Sequence, residues 1–201
     1  MYGMFQGCSN LTTLNVSNFD TSSVTNMQGM FQGCSSLKTL DLSNFDTSAV
    51  TSMAGMFYCC KNLTILDLSN FDTSKVANME GMFQSCSSLT TLDLSNFDTS
   101  AVTNMARMFY YCENLTTLDL SNFDTSAVTN MTSMFHLSTK LTTIYVSELW
   151  KTDNVSNSTN MFNFCYSLVG GSNTVYDSNY TDKIYARIDG GTSNPGYLTS
   201  K

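Results

Sequence analysis

The hydrophobic positions of residues 24–37 recur at offsets of three and four, which places them on one face of a helix. They are Val24, Met27, Met30, Phe31, Cys34 and Leu37. Thr25 or Asn26 is suited to cap the start of this helix, and Gly33 lets the chain turn at its end. The pattern therefore predicts a short helix of roughly two to three turns, anchored in the core by a Met-Phe pair.

The next residues, 37–45, alternate between apolar and polar side chains, which is typical of a strand. Leu40 and Leu42 are expected to point into the core, while Thr39, Asp41 and Ser43 point outward. The Asn-Phe-Asp-Thr-Ser segment that follows favours turns, because its short polar side chains bond to nearby backbone N–H groups. One unit is thus predicted to consist of a strand, a turn and a helix.

This unit returns every 26 residues through most of the chain. Two sets of residues keep the period without a slip: Phe5, Phe31, Phe57, Phe83, Phe109 and Phe135, and Leu11, Leu37, Leu63, Leu89, Leu115 and Leu141. A fixed period of roughly 20–50 residues indicates stacked units, each too small to bury its own apolar face. We therefore predict an α/β solenoid with a parallel β-sheet on one face and short helices on the other.

The repeat pattern fades after residue 142 and ends near residue 168. Tyr145 interrupts a column of aspartates, and one inserted residue near Asn157 delays the next Met-Phe pair. The exposed end of a solenoid needs covering. We predict a repeat array of about six units over residues 1–168 and a C-terminal cap over residues 169–201, with a strand near residues 183–189.

The motif LxxLxLxxF stands at Leu37, Leu40, Leu42 and Phe45, and the motif MFxxCxxL precedes it. With its registered copies of both motifs, the chain resembles the BspA-like leucine-rich repeat family of bacterial surface proteins over residues 1 to about 168. The later segment ARIDGG…NPGY is similar to the tail of such domains. The resemblance implies an extracellular location on a bacterial cell surface and a role in adhesion.

The net charge of −7 and nine scattered Lys and Arg residues leave no basic stripe. Nucleic acid and anionic membrane surfaces are disfavoured as partners, because both are bound through such stripes. No run of about 18 apolar residues exists, so direct membrane insertion is not expected either. Met1 occupies the repeat position of Met27 and Met53, which suggests that the sequence starts within a unit. Self-association through the solenoid ends is a further possible interaction.

Six of the seven cysteines share one repeat position. They are Cys8, Cys34, Cys60, Cys86, Cys112 and, after one inserted residue, Cys165. The sixth unit departs from the motif, since Leu137 and Ser138 follow Phe135 without a cysteine. Such a column is typical of small buried apolar side chains, and side chains that point the same way rarely satisfy disulfide geometry. We predict free, buried thiols and no zinc site, since the chain has a single histidine and no Cys-x-x-Cys pair.

A column of aspartates lies on the predicted sheet: Asp41, Asp67, Asp93 and Asp119, with Tyr145 at its end. Carboxylates about 5 Å apart repel by roughly 1 kcal/mol per neighbour in water, which predicts raised pKa values or a bound cation. Ca²⁺ is the cation that such a column suits, although an exposed, solvated face is the favoured interpretation and no cofactor is expected. A second column follows a phenylalanine and is explained by turns: Asp20, Asp46, Asp72, Asp98 and Asp124.

Catalysis is not expected, because no phosphate-binding loop or hydrolase motif occurs. His136 replaces a variable residue at the helix edge, where we expect it to be solvated. Tyr58, Tyr110 and Tyr111 occupy the same edge. Exposed tyrosines are good interface residues, with partial burial in packing as the competing interpretation.

We therefore expect a non-enzymatic adhesion module that contacts host matrix, glycans or neighbouring cells through an acidic and polar sheet face. The candidate contact residues are Thr39, Asp41, Ser43, Asp67, Asp93, Asp119 and Tyr145 on the sheet, and Tyr58, Tyr110 and Tyr111 at the helix edge. A structural spacer that presents another adhesive domain is the first alternative, because near-identical copies supply length without unique residues. Ice binding is the second, through a column of threonines at one repeat position: Thr13, Thr39, Thr91, Thr117 and Thr143. The aspartate column beside it opposes a flat ice-matching surface.

Overall fold

The computed structural model describes all 201 residues and shows successive repeats as coils stacked in parallel. One ladder of isolated parallel bridges joins Asn26, Ser52, Asn78, Asn104, Asn130 and Asn157. A second face carries a three-stranded parallel sheet of β1 (Thr117–Asp119), β2 (Thr143–Val146) and β3 (Thr199–Ser200), in that order. The remaining regular elements are 3-10 helices at Lys183–Tyr185 and Gly191–Ser193. The predicted parallel sheet is therefore present.

The side-chain directions predicted for residues 37–45 are confirmed. Leu40 and Leu42 are buried, while Thr39, Asp41 and Ser43 are exposed. Regular strand pairing is confined to the last copies, since Thr39 makes only an isolated parallel bridge to Ile65. The alternation in most coils therefore reflects burial of the leucines rather than a continuous strand ladder.

The predicted helix over residues 24–37 is wrong, and this segment forms consecutive turns. The N–H groups of Met30 and Cys34 donate to the carbonyls three residues earlier, at 3.2 and 3.1 Å. Gly29 and Gly33 have φ values of 62° and 75°, which the third residue of a type II turn requires and an α-helix does not allow. A chain of turns spaces its buried side chains by three and four residues, as a helix does. The chain forms no helix with the length and apolarity that a membrane crossing requires.

The backbone groups that a helix would pair internally are used here between coils. The Met27 N–H donates to Ser52 O at 3.0 Å, and the Phe31 N–H donates to Met56 O at 2.9 Å. The same pairing recurs one repeat later and continues along the array. These bonds satisfy buried backbone donors that would otherwise be costly to leave unpaired.

The core is built from rows of identical side chains, one from each coil. Phe57 and Phe83 stack with ring centroids 5.9 Å apart and planes 5° from parallel, and the row continues in both directions. The cysteines of the central coils are buried and unbridged, as predicted, although Cys8 in the first coil is exposed. Burial raises the pKa of Cys112 to about 12, so the core thiols are neutral.

The Asn-Phe-Asp-Thr-Ser segment ties each coil to its neighbours. The Asn70 amide donates to Leu42 O at 3.0 Å and to Phe45 O at 2.8 Å in the preceding coil. The buried Thr47 hydroxyl donates to Asp72 O in the next coil at 2.9 Å. The turn interpretation of the second aspartate column is confirmed, because its carboxylates accept the N–H of the serine two residues later: Asp20, Asp46, Asp72, Asp98 and Asp124.

The C-terminal segment lies against the last coils. Strand β3 pairs with β2, and the Trp150 indole N–H donates to Ala186 O at 3.0 Å. The predicted strand at residues 183–189 is wrong. Because the Asp182 carboxylate accepts the Ile184 N–H at 2.9 Å, the chain turns there into a 3-10 helix, and only Ile188 forms a bridge, to Leu198. The division of the chain at residue 168 stays a prediction.

Candidate functional site

Two exposed surfaces carry the side chains that sequence analysis singled out. The first, the sheet face, holds the outward side chains of the predicted strands: Thr39, Asp41 and Ser43 and their equivalents in other coils, with Tyr145 at one end. The bridge from Thr39 to Ile65 and the pairing of Asp119 with Tyr145 put equivalent residues of neighbouring coils side by side. The predicted aspartate column is thus a physical row, with one carboxylate per coil.

The carboxylates of this row are held by turns of their own. Asp41 accepts the Ser43 N–H at 3.0 Å, and Asp67 accepts the Ser69 N–H at 2.9 Å. Hydrogen bonds from these serines lower the pKa of both aspartates. Repulsion from Asp41 is a weaker opposing effect on the pKa of Asp67. The prediction of raised pKa values is therefore wrong. The row is ionised at neutral pH.

Asp119 differs from the rest of the row because the end of the chain reaches it. Burial acts to raise its pKa, but hydrogen bonds from Lys201 and Ser121 outweigh burial and hold the pKa below its usual range. Lys201 also forms an ion pair with Asp119. Asp41, Asp67 and Asp93 have no such cation, so the negative charge of the sheet face is concentrated in the earlier coils.

The threonine row beside the aspartates is interrupted. Ile65 occupies the position of Thr39 and Thr91, and 69% of it is exposed. No group of three or more His, Cys, Asp or Glu side chains converges anywhere on the chain. The acidic row is a line of separated carboxylates. Its interpretation as a solvated face without a cofactor, with calcium binding as the alternative, stays a prediction.

The second surface, the turn face, replaces the predicted helix edge. It is formed by the outward side chains of the turns that begin at Met27, Met53, Met79, Met105 and Met131 and carries Tyr58, Tyr110 and Tyr111, all partly buried. Tyr110 stacks on His136, with ring centroids 5.0 Å apart and planes 2° from parallel. Tyr58 is separated from Tyr110 by Gln84, which occupies the same repeat position in the coil between them. The three predicted tyrosines therefore do not form one patch.

His136 is not the solvated residue that sequence analysis expected. It is half-buried between Tyr110 and Phe164, whose ring meets it edge-on at 5.4 Å. Burial lowers the pKa of His136, and its Nδ1 atom is buried without a hydrogen-bond partner. Phe164 and the exposed Tyr166 extend this aromatic cluster. The sequence signal for it was weak, because the inserted residue shifts Phe164 out of the 26-residue register.

A polar cleft on the turn face was also missed. It is lined by Gln28, Gln32, Ala54, Gly55, Tyr58, Asn78, Glu80, Gly81 and Gln84. The short side chain of Ala54 lies between Gln28 and Glu80, which occupy the same repeat position in the coils on either side. Comparison of that position along the repeats would have revealed the gap.

The sequence matches one protein family. Residues 1–92 and 90–185 each match the family described as Mycoplasma protein of unknown function, DUF285. Among solved structures, the chain is similar to a leucine-rich repeat protein from Bacteroides ovatus, with 14% identity and a TM-score of 0.37 over 85% of this chain and 68% of that one. No curated protein matches the sequence.

Proposed function

Since the chain belongs to the DUF285 family of BspA-like repeat proteins, we propose that it is a non-enzymatic binding module displayed on a bacterial cell surface. Its stacked coils form a leucine-rich repeat solenoid, and its sheet face contacts the partner. The partner is an extended or repetitive protein or glycan on a host or neighbouring cell. The regular row of ionised carboxylates, one per coil, supports this proposal most directly.

The chemistry of the row suits weak contacts that are repeated many times. Each carboxylate uses one oxygen to accept the N–H of a serine two residues later, as Asp93 does with Ser95 at 3.0 Å. At Asp41, Asp67 and Asp93 the other oxygen makes no hydrogen bond within the chain and is free to accept one from a partner. At Asp119 that oxygen is bound by Lys201. Several such contacts to one extended molecule add through a high effective concentration, so each can be weak.

The test changes Asp41, Asp67, Asp93 and Asp119 together to Asn. Asn keeps the oxygen that accepts the serine N–H, so the coils remain folded while the negative charge is lost. We expect binding to immobilised fibronectin, fibrinogen or mucin glycans, measured by surface plasmon resonance, to fall at least about tenfold for whichever partner the native chain binds.

The matched control changes Asp20, Asp46, Asp72 and Asp98 to Asn. These residues also accept a serine N–H, and the change in net charge is the same, but they lie outside the sheet face. Binding should be retained in this control. Equal loss in both variants would mean that net charge, rather than the sheet face, decides binding.

A structural spacer is the second candidate function, and the identity of residues 91–105 and 117–131 favours it. Identical copies add length to the chain without adding a side chain that occurs in only one repeat. A spacer predicts that the isolated chain binds none of the immobilised partners, whereas the binding proposal predicts that it binds at least one.

A further inference from the structure

The cleft on the turn face has a volume of about 250 Å³ and spans three successive coils. Gly55 and Gly81 line it with φ values of 60° and 58°, and Ala54 beside them is buried. In the neighbouring coils the position of Ala54 holds Gln28 and Glu80. The cleft is therefore a gap left by one short side chain between two long ones.

Three glutamine side chains in this cleft have no hydrogen-bond partner within the protein: Gln28, Gln32 and Gln84. All three are partly buried. Each amide offers two donors and one acceptor oxygen. Partly desolvated polar groups are stabilised when they form a hydrogen bond with a ligand. These amides therefore favour a ligand rich in hydroxyl groups, each of which can both donate and accept.

The charge within the cleft is already balanced. Arg107 binds one oxygen of Glu80 at 3.1 Å, and the Asn104 amide donates to the other oxygen at 3.1 Å. Every other lining residue is uncharged. A charged ligand would find no free counter-charge here, so the cleft is suited to a neutral one.

Tyr58 supplies an aromatic surface that no other ring covers. Its equivalents in the adjacent coils are Gln32 and Gln84, whereas Tyr110 is stacked on His136. The neighbouring Cys59 side chain raises the pKa of Tyr58, so the phenol is neutral and both donates and accepts. The electron-rich face of such a ring attracts the weakly positive C–H groups of a sugar.

We propose that this cleft binds one ring of a neutral glycan, with its hydroxyls on the glutamine amides and its C–H face on Tyr58. Pockets that enclose a whole drug-sized ligand start at roughly 300 Å³, so a cleft of this size holds one part of a longer chain. A peptide fits less well, because its backbone alternates donors and acceptors along a line and offers no pairs of adjacent hydroxyls. The site lies apart from the sheet face and does not depend on it.

Saturation-transfer NMR on the full chain tests this, with cellohexaose, maltohexaose, laminarihexaose and N-acetylchitohexaose as neutral probes. Sialyllactose and a mixture of uncharged hexapeptides serve as comparison ligands. We expect transfer to at least one neutral oligosaccharide and none to the comparison ligands. Absence of transfer to all four neutral probes, or transfer to the peptides alone, would overturn the proposal.

Two variants locate the binding, and both introduce a residue that a neighbouring coil already carries at that position. Ala54→Gln fills the gap as Gln28 does, and should abolish binding of the active oligosaccharide. Tyr58→Gln removes the ring and should weaken binding about tenfold. Tyr110→Gln is the matched control, because it makes the same change in the same row outside the cleft, and should leave affinity within about twofold.

Unchanged affinity in Ala54→Gln, with the variant shown to be folded by its circular dichroism and Tm, would place the sugar elsewhere and refute the cleft. The variant with Asp41, Asp67, Asp93 and Asp119 changed to Asn should bind the oligosaccharide normally. Failure of the sheet-face proposal can therefore be distinguished from failure of the cleft proposal.

Discussion

The Cys60 thiol donates a hydrogen bond to the carbonyl oxygen of Phe31 in the preceding coil, 3.2 Å away. The same bond recurs at Cys86, Cys112 and Cys165. The column thus links adjacent coils as well as filling the core. Ser138 occupies the cysteine position in the sixth unit and donates to Phe109 O at 2.8 Å, so a hydroxyl makes the same bond.

Replacement of a column cysteine should therefore depend on whether the new side chain can donate. We expect Cys86→Ala to lower the free energy of unfolding by about 1–2 kcal/mol, through lost packing and a lost hydrogen bond. Cys86→Ser should cost less, because it reproduces the arrangement at Ser138. Urea denaturation of both variants measures the difference. A serine variant less stable than the alanine variant would show that the bond contributes nothing.

Much of this fold could be predicted from the sequence because each row of the hydrophobic core takes one side chain from the same repeat position of every coil. The 26-residue period of the phenylalanines predicted the stacking of the repeat units, and the alternation around Leu40 and Leu42 predicted which side chains point into the core. The helix prediction failed because offsets of three and four do not distinguish a helix from consecutive turns. Gly29 and Gly33, with one glycine in each turn, were the signal for turns. The hydrogen bonds between coils that replace helical ones join residues 25 positions apart, so no local pattern shows them.

The candidate surfaces were less predictable, for two physical reasons. The pKa of Asp41 depends on the Ser43 hydrogen bonds, whereas the prediction considered only the repulsion between neighbouring carboxylates. The cleft depends on the size of Ala54 relative to residues one coil away on each side. That relation becomes visible only when the repeats are compared position by position rather than read along the chain.

Ser52 is the exception in a ladder of asparagines, and its hydroxyl is buried without a partner. In the next coil the Asn78 side chain accepts the Glu80 N–H at 2.9 Å. We expect Ser52→Asn to supply the same acceptor to the Ala54 N–H and to raise the free energy of unfolding by about 0.5–1.5 kcal/mol. The reverse change, Asn78→Ser, should lower it by a similar amount. Thermal and urea unfolding of the pair check both signs, and a loss of stability in Ser52→Asn would contradict the assignment.

Gly81 and Ser85 both occupy left-handed positions of the turns, and exchanging glycine and a larger residue at these positions should change stability in opposite directions. Gly81 has φ of 58°, and alanine there should cost on the order of 1–2 kcal/mol. Ser85 has φ of 59° without the freedom of glycine, so Ser85→Gly should be neutral or raise stability by up to about 1 kcal/mol. Both variants are compared by urea denaturation. Destabilisation by Ser85→Gly equal to that of Gly81→Ala would show that backbone strain is not the deciding factor.

Asp189 should make the C-terminal segment sensitive to acid. Only 6% of this residue is exposed, and its carboxylate accepts the N–H groups of Ser172, Thr174 and Gly191 at 2.8–3.0 Å and the Thr174 hydroxyl at 2.7 Å. Burial acts to raise the pKa of Asp189, but these four hydrogen bonds prevail and lower it to about 2. The ionised form therefore favours the folded state.

Because the folded pKa lies below the unfolded value near 3.8, the stabilisation by Asp189 is complete above about pH 4 and is lost as the pH falls toward 2. It amounts to about 2 kcal/mol, since each pKa unit corresponds to about 1.4 kcal/mol. Asp189→Asn should therefore be clearly less stable than the native chain at pH 7, and the gap should narrow by about this amount between pH 4 and pH 2. Urea denaturation across that range measures it, with Asp153→Asn as a control at an exposed carboxylate that accepts no hydrogen bond from the chain. A gap for Asp189→Asn that stays constant from pH 7 to pH 2 would mean that its hydrogen bonds stabilise the segment without favouring the ionised form.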